Sequence, residues 1–377
     1  MKRLYFFFFL LIFALGCATT QTTQTSSFPN DPATELISAD QVKDAVARYR
    51  EKTKKDPTDF RAWHGLGASC TRIRDLPCAE EALQRAHELK NDDPGILSSL
   101  GLLRFHQEKL EEAEDFILKA LAKNKDYGPA WNNLGLIRHA QKNLNGAYEA
   151  FQEALTYNPD DLIALENIGT LLLHFQGTPR KARPYIVRRL RVMQMRNMKP
   201  RWDDFRDAGL AALFSDDGDM AIAYFEQARQ RAPKNIELYF HLGLAYVQVG
   251  ELARAEELLH TAHEGKPKVG LFASYYGRVL VKRKKYEAAL VPLEIAIKAN
   301  PNDPDTVMGL GVALEVLAEK DSRSPAYSQS GCKTEKKSKK PICKKVADRK
   351  ARSQQIFARA CTLGVMDACE PGKRRRR

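Results

Sequence analysis

Small and bulky apolar residues recur along this chain at a constant interval of 34 positions. One unit runs Trp131, Leu134, Gly135, then Ala147, Phe151, Ala154 and Pro159. The positions 34 residues earlier hold Leu97, Leu100, Gly101, Ala113, Ile117 and Ala120. A further step back gives Trp63, Leu66, Gly67, Ala79, Leu83 and Ala86. The second half repeats the pattern in Phe205, Gly209, Ala221, Phe225, Ala228 and Pro233. Tyr239, Leu242, Gly243, Ala255, Leu259, Ala262 and Pro267 follow, then Tyr276, Gly277, Leu280, Ala289, Leu293, Ala296 and Pro301. Inside each unit the apolar positions fall three or four apart, the period of an amphipathic helix. Each unit therefore predicts two helices, A and B. The Gly in helix A and the Ala in helix B let them approach closely, and the Pro closes the unit in a turn. One hairpin cannot bury its stripe alone, so the units must stack.

Three places depart from the period. In a fourth unit, Leu165, Ile168 and Gly169 are in register, but Ala182 and Ile186 come one residue late. Pro179, Pro184, the basic run Arg188-Arg189-Leu190-Arg191 and Met193, Met195 and Met198 follow, up to Pro200. This predicts either a break between two sub-arrays or a long helix B with a lengthened turn. The last unit has a helix A in Val307, Leu310, Gly311 and Leu314, while Phe357 and Ala360 match helix B thirty residues late. A basic insertion over 319–346 is expected between its two helices. At the other end, Ser38-Ala39-Asp40-Gln41 reads as a capping box before a lone helix with Ala45 and Tyr49, ending at Pro57.

The pattern resembles the tetratricopeptide repeat (TPR), with a large residue at position 4, Leu-Gly at 7 and 8, Ala at 20 and 27, a bulky residue at 24 and Pro at 32. The resemblance implies an all-α superhelical solenoid whose groove is lined by helix A positions 2, 5, 6, 9, 12 and 13. Groove residues are then Leu102, Phe105, Asn132, Asn133, Leu136, Leu210, Phe214, Leu244 and Val247. TPR proteins that take acidic C-termini carry Lys, Asn and Arg at set places; His64, Ala68, Ser98, Ser99 and Glu166 do not match them. The largely apolar lining suits an amphipathic helix or an extended apolar peptide.

The N-terminus predicts export. Lys2 and Arg3 precede an apolar run over 4–15, too short to span a bilayer comfortably. Ala14-Leu15-Gly16-Cys17 resembles a bacterial lipobox, which implies lipidation of Cys17; ordinary cleavage near Gly16 is the plainer alternative. Ala18, rather than Asp, after that Cys implies the outer membrane, again by resemblance. The Thr-, Gln-, Ser- and Pro-rich stretch to residue 37 reads as a tether. Six further cysteines form neighbouring pairs, Cys70 with Cys78, Cys332 with Cys343 and Cys361 with Cys369, expected as disulfides in an oxidising compartment. Zinc would want tighter spacing and nearby His.

Charge changes the picture at one end. Residues 319–377 hold 18 Lys and Arg against six Asp and Glu, so the other 318 residues carry only +1 of the chain's +13. The segment from Lys333 and the terminal Lys373 to Arg377 suit a polyanion. Outside the cytoplasm that is anionic glycan or lipid rather than nucleic acid. Phe357 to Cys369 resembles the Cys-bearing Sel1-like repeats; the plainer reading is a disulfide-closed end cap.

Little else suggests chemistry. His106, His139 and His174 recur at position 12 or 13 but predict solvated groove-edge residues, not a metal site. Asp216-Asp217-Gly218-Asp219 resembles a calcium loop but lacks the terminal Glu. No catalytic triad order, P-loop or dinucleotide fingerprint occurs, so no enzyme activity and no cofactor are expected. The domains expected are a signal peptide over 1–16, lipidated Cys17 and tether to 37, a cap over 38–57, and sub-arrays over 58–200 and 201–318. The insertion over 319–346 and a last helix with a basic tail over 347–377 complete the chain. The whole resembles TPR lipoproteins of the bacterial outer membrane, such as pilotins of type IV pili and gliding-motility lipoproteins. This implies a periplasm-facing scaffold that binds envelope proteins in assembly of a motility or pilus machine. The alternative is a lipoprotein of a polysaccharide-export or cell-wall complex.

Overall fold

The computed structural model describes residues 39–329, 332 and 341–369. The expected signal peptide, Cys17, the tether, Ser38, Lys333 to Lys340 and the basic terminus lie outside the described residues. Two compact units meet in sequence at Pro200 and Arg201. Among the described residues all regular structure is helical.

The first unit begins with α1 (Ala39–Lys55). Hairpins follow: α2 (Phe60–Arg72) with α3 (Leu76–Leu89), α4 (Pro94–His106) with α5 (Leu110–Lys123), and α6 (Gly128–Ala140) with α7 (Leu144–Tyr157). The fourth pairs α8 (Leu162–Thr170), continued by a π-helical turn (Leu171–Phe175), with α9 (Pro179–Met195). The second unit holds α10 (Trp202–Leu213) with α11 (Gly218–Arg231), α12 (Ile236–Gln248) with α13 (Leu252–Gly265), and α14 (Gly270–Lys282) with α15 (Tyr286–Ala299). Its last hairpin pairs α16 (Pro304–Ser322) with α18 (Pro341–Thr362); the short α17 (Pro325–Gln329) lies between them and α19 (Met366–Cys369) follows.

The same devices recur at the same repeat position. Asp59, Asp93 and Asp161 each cap an A helix by accepting two backbone N–H groups. Such caps satisfy donors the helix leaves unpaired, at about 1 kcal/mol each. The ring at position 4 donates back across the preceding turn: Trp63 Nε1 to Pro57 O (2.9 Å), Trp131 Nε1 to Lys125 O (2.8 Å) and Tyr239 OH to Pro233 O (2.9 Å). Each A–B turn closes on a left-handed residue: Arg74, Glu108, Lys142, Asp216, Gly250 and Lys284 all have φ between 58° and 85°.

Packing within a hairpin rests on one contact, glycine at position 8 under a bulky residue at position 24. A Cβ on Gly67 would meet Leu83 Cγ at 2.5 Å, on Gly101 Ile117 Cδ1 at 2.7 Å, and on Gly243 Leu259 Cγ at 2.7 Å. Gly135 lies against Phe151 and Gly209 against Phe225 in the same way. Leu83, Ile117, Phe151, Phe225 and Leu259 are all buried. Each contributes roughly 1.5–3 kcal/mol on leaving water.

The two irregular repeats keep this contact. A Cβ on Gly169 would meet Ile186 Cγ1 at 2.8 Å, with one residue more between the two than elsewhere. The π turn takes up that residue by adding one per turn, and Gly177, at φ 60°, then supplies the left-handed turn residue. A Cβ on Gly311 would meet Phe357 Cε1 at 2.7 Å across the long insertion. The insertion expected over 319–346 is itself partly helical. Leu317 and Ala318 continue the buried stripe of α16, and Cys343 and Val346 that of α18. Arg349, only 11% exposed, locks the pair by binding Asp321 (2.7 Å) and Glu287 of α15 (2.7 Å).

Three disulfides join the neighbouring cysteines: Cys70–Cys78, Cys332–Cys343 and Cys361–Cys369. The first clamps the α2–α3 turn. The second ties the start of α18 to the insertion. The third fastens α19 to the end of α18.

Candidate peptide-binding face

The A helices of each unit line up side by side and present one face. In the first unit, positions 5 and 6 build a polar ladder. His64 Nε2 and Ser99 Oγ lie 2.8 Å apart, Asn133 Nδ2 donates to Ser98 Oγ (3.1 Å), and Asn167 Nδ2 donates to Asn132 Oδ1 (2.9 Å). Every rung joins residues 35 apart, position 5 of one repeat to position 6 of the next. Asn132 and Asn133, expected as groove residues, are 2% and 5% exposed and serve this seam. A buried amide group left unpaired costs about 1–3 kcal/mol, and stacking supplies a partner to Asn133 Nδ2 and to Asn132 Oδ1.

The apolar row expected at position 9 is closed as well. Leu102 and Leu136 in the first unit and Leu210 and Leu244 in the second are buried. Neighbouring A helices come close enough to cover these side chains, so they hold the array and do not line an open groove. Phe105, Phe214 and Val247, at positions 12 and 13, are half-buried and remain at the surface.

What the first unit does present is an aromatic row at the ends of its A helices. Phe105 meets His106 edge-on at 5.4 Å, and His139 meets Phe175 edge-on at 4.3 Å. Phe175, in the π turn, is 50% exposed. Burial, aided by Arg74, pushes His106 down to about 4, and burial also lowers His139. Both rings are therefore neutral near pH 7, and the row is apolar-aromatic rather than cationic. Sequence reasoning placed His106, His139 and His174 at this edge as solvated residues; all three are half-buried against neighbouring helices. It also missed Phe175, which the extra residue of the π turn brings into the row.

The second unit packs a different, largely buried aromatic cluster between its A helices. Phe240 stacks on Phe272 at 4.4 Å and receives the edge of Tyr275 at 5.5 Å. Arg278 lies over Tyr275 at 5.0 Å and pairs with Asp305 at 2.8 Å. Arg206 pairs with Asp207 at 2.8 Å and sits over Trp202. His241 stacks on Phe225 and is pushed down to about 4 by burial, helped by Arg206 against the opposing Glu237 and Asp207.

Ion pairs tie successive repeats together. Arg104 and Gln107 both bind Glu80, and Arg138 and Gln141 both bind Glu114. Arg283 and Lys285 bind Glu256. The Arg104 hydrogen bond holds the Glu80 carboxyl below its ordinary range, against the cost of burial.

The other candidate chemistry resolves into structure. Asp217 caps α11 by accepting the Met220 N–H, and Gln248 donates to Asp216, so the Asp-rich stretch is a repeat turn. Among the described residues, the group of three ligand types that converges within 4.8 Å is Cys70, Asp75 and Cys78, and its two cysteines are joined in the disulfide. No helix among the described residues is long and apolar enough to cross a membrane.

Paired helices repeating every 34 residues on a glycine-to-bulky contact define an array of tetratricopeptide repeats, a scaffold fold. Sequence models of that repeat match residues 128–161 and 215–274. A TPR repeat-containing protein of Pseudomonas aeruginosa is 34% identical over 74 residues, covering 19% of this chain and 12% of that protein. Solved structures of other TPR proteins resemble parts of this chain. YrrB, described as a TPR protein with an unusual peptide-binding site, is 19% identical, with TM-score 0.43, covering 53% of this chain and 97% of its own. The C-terminal part of a TPR protein from Cytophaga hutchinsonii is 15% identical, with TM-score 0.48, covering 67% and 99%. PilW, described as a type IV pilus biogenesis factor, is 16% identical, with TM-score 0.40, covering 63% and 97%.

Proposed function

We propose that this protein is a membrane-anchored scaffold that gathers envelope proteins during assembly of a machine such as a pilus or motility complex. The observation that carries the reading is the neutral aromatic row of Phe105, His106, His139 and Phe175 on the A-helix face of the first unit. A half-exposed phenylalanine beside uncharged rings suits an apolar side chain on an extended or helical partner segment. The A helices that carry the row are joined to one another by the polar seam, so the surface is formed before the partner arrives. Membrane attachment rests on the apolar run over 4–15 and on Cys17. Outer-membrane placement rests on Ala18, and partner class on the resemblance to envelope lipoproteins.

A photo-crosslinking residue at position 175 in living cells, followed by mass spectrometry, tests the reading. Envelope proteins should be recovered, and Phe105→Ala should reduce their yield several-fold. Recovery of glycan alone would instead favour a polysaccharide or cell-wall complex. The excess of Lys and Arg over residues 319–377 supports that second reading. Metabolic labelling with a fatty acid, lost in Cys17→Ser, tests the anchor separately.

A further inference from the structure

Net charge places the basic character of this chain at its C-terminal end, yet one helix of the first unit is far more basic than its surroundings. Residues 39–178 hold 18 Lys and Arg against 22 Asp and Glu. Residues 179–200 hold eight against none. Averaging over the array hides this, because the repeats on either side are net acidic and offset most of it.

The helical period sorts these charges. Arg189 is buried and pairs with Glu166 at 2.9 Å, so it belongs to the interior. Arg180, Lys181, Pro184, Arg188, Arg191 and Met195 are all exposed. Their steps of three and four residues put them in one stripe along α9. At 1.5 Å per residue the stripe is about 22 Å long. Arg188 reaches Asp160 at 3.0 Å, but both side chains are about half exposed, a pairing that solvent keeps weak. The first turn of α9 contains no acidic residue, so Arg180 and Lys181 add to the positive end of the helix dipole rather than offset it. The stripe ends at Met195, which at 63% exposure is among the most exposed large apolar side chains described.

We propose that this face of α9 is a docking surface for an anionic phospholipid bilayer. A row of cations on a rigid helix meets lipid phosphates without needing a fixed pattern of partners. The exposed thioether at its end can enter the boundary between headgroups and acyl chains, which a purely electrostatic contact with an acidic protein would not call for. Attraction to the surface lays the side of the first unit against the membrane.

The test uses the full-length chain with vesicles of phosphatidylcholine alone, or with about 30% phosphatidylglycerol added. The lipid expected on Cys17 attaches the chain to both kinds, so attachment itself reads the anchor and not the stripe. Residues 319–377 can also seek anionic lipid, so the readout must be local to α9. Peroxide oxidation of methionines, followed by mass spectrometry, gives one, with Met220 of α11 as the reference. Met195 should oxidise about threefold more slowly on the anionic vesicles, and about 0.5 M salt should abolish the protection. Arg180→Gln, Lys181→Gln, Arg188→Gln and Arg191→Gln together should abolish it too, with the circular dichroism unchanged. Equal oxidation of Met195 on both vesicles overturns the proposal, as does protection that survives the four substitutions. Protection by a poly-glutamate peptide but not by vesicles would overturn it in favour of an acidic protein.

Discussion

Repeat four and repeat eight both break the 34-residue period, and they absorb the excess in different ways. Repeat four has one extra residue, taken up inside the chain of helix A by the π turn over Leu171–Phe175. Repeat eight has thirty, taken up partly by lengthening α16 and α18 and partly by the segment between them. In both, glycine at position 8 still meets the bulky residue at position 24: Gly169 with Ile186, and Gly311 with Phe357. The array therefore tolerates almost any length between the two helices, but not loss of that contact. Loop closure costs only about 0.6 kcal/mol per doubling of length, while a buried phenylalanine is worth several times that.

The largest effect should come from removing the contact itself. Phe357→Ala should cost about 3–5 kcal/mol and Ile186→Ala about 2–4. Hydrogen exchange should show the loss in α16 and α18 for the first, and in α8 and α9 for the second. Undiminished protection in α16 would mean that the insertion, not the contact, holds repeat eight together. Next comes the clip that repeat four lacks. Cys332→Ala with Cys343→Ala removes a crosslink of sequence separation 11 and should cost about 2–3 kcal/mol, read as a lower denaturation midpoint. An unchanged midpoint would leave the ion pairs of Arg349 as the fastening. The smallest effects lie in the A–B turns. Gly177→Ala in repeat four forces a side chain into φ 60° and should cost about 1 kcal/mol. Lys142→Gly in the regular repeat three relieves the same strain at φ 64° and should stabilise by up to about 1 kcal/mol, visible in thermal melts. Equal and opposite shifts would show that the two turns do the same work despite their different lengths.

Much of this was legible in the chain itself. The pairing of Gly101 with Ile117, or of Gly311 with Phe357, follows from spacing, because only a glycine can lie under a bulky side chain where two helices touch. The neighbour pairing of the cysteines was legible for a similar reason, since short separations bring the sulfurs together. The candidate face was read less well. Leu102, Leu136, Leu210 and Leu244 looked like a groove lining because they fall on the right helical face. Whether they are covered depends on how near the next A helix stands. Asn132 and Asn133 looked like free polar contacts, yet their partners, Asn167 and Ser98, lie one repeat away. The basic run Arg188-Arg189-Leu190-Arg191 was visible in the chain, but not the stripe it belongs to, because a surface is a matter of which residues share a side and Arg189 does not.

The sequence by itself determined the helices, their 34-residue register and which side chains meet within a hairpin. Those follow from local period and from steric size, both of which a string of residues carries. Only the tertiary structure decided which face stays open, that Phe175 joins the aromatic row, and that Arg189 turns inward while Arg188 and Arg191 remain outside. These depend on distances between neighbouring repeats and on the extra residue in the π turn, quantities that no single helix encodes.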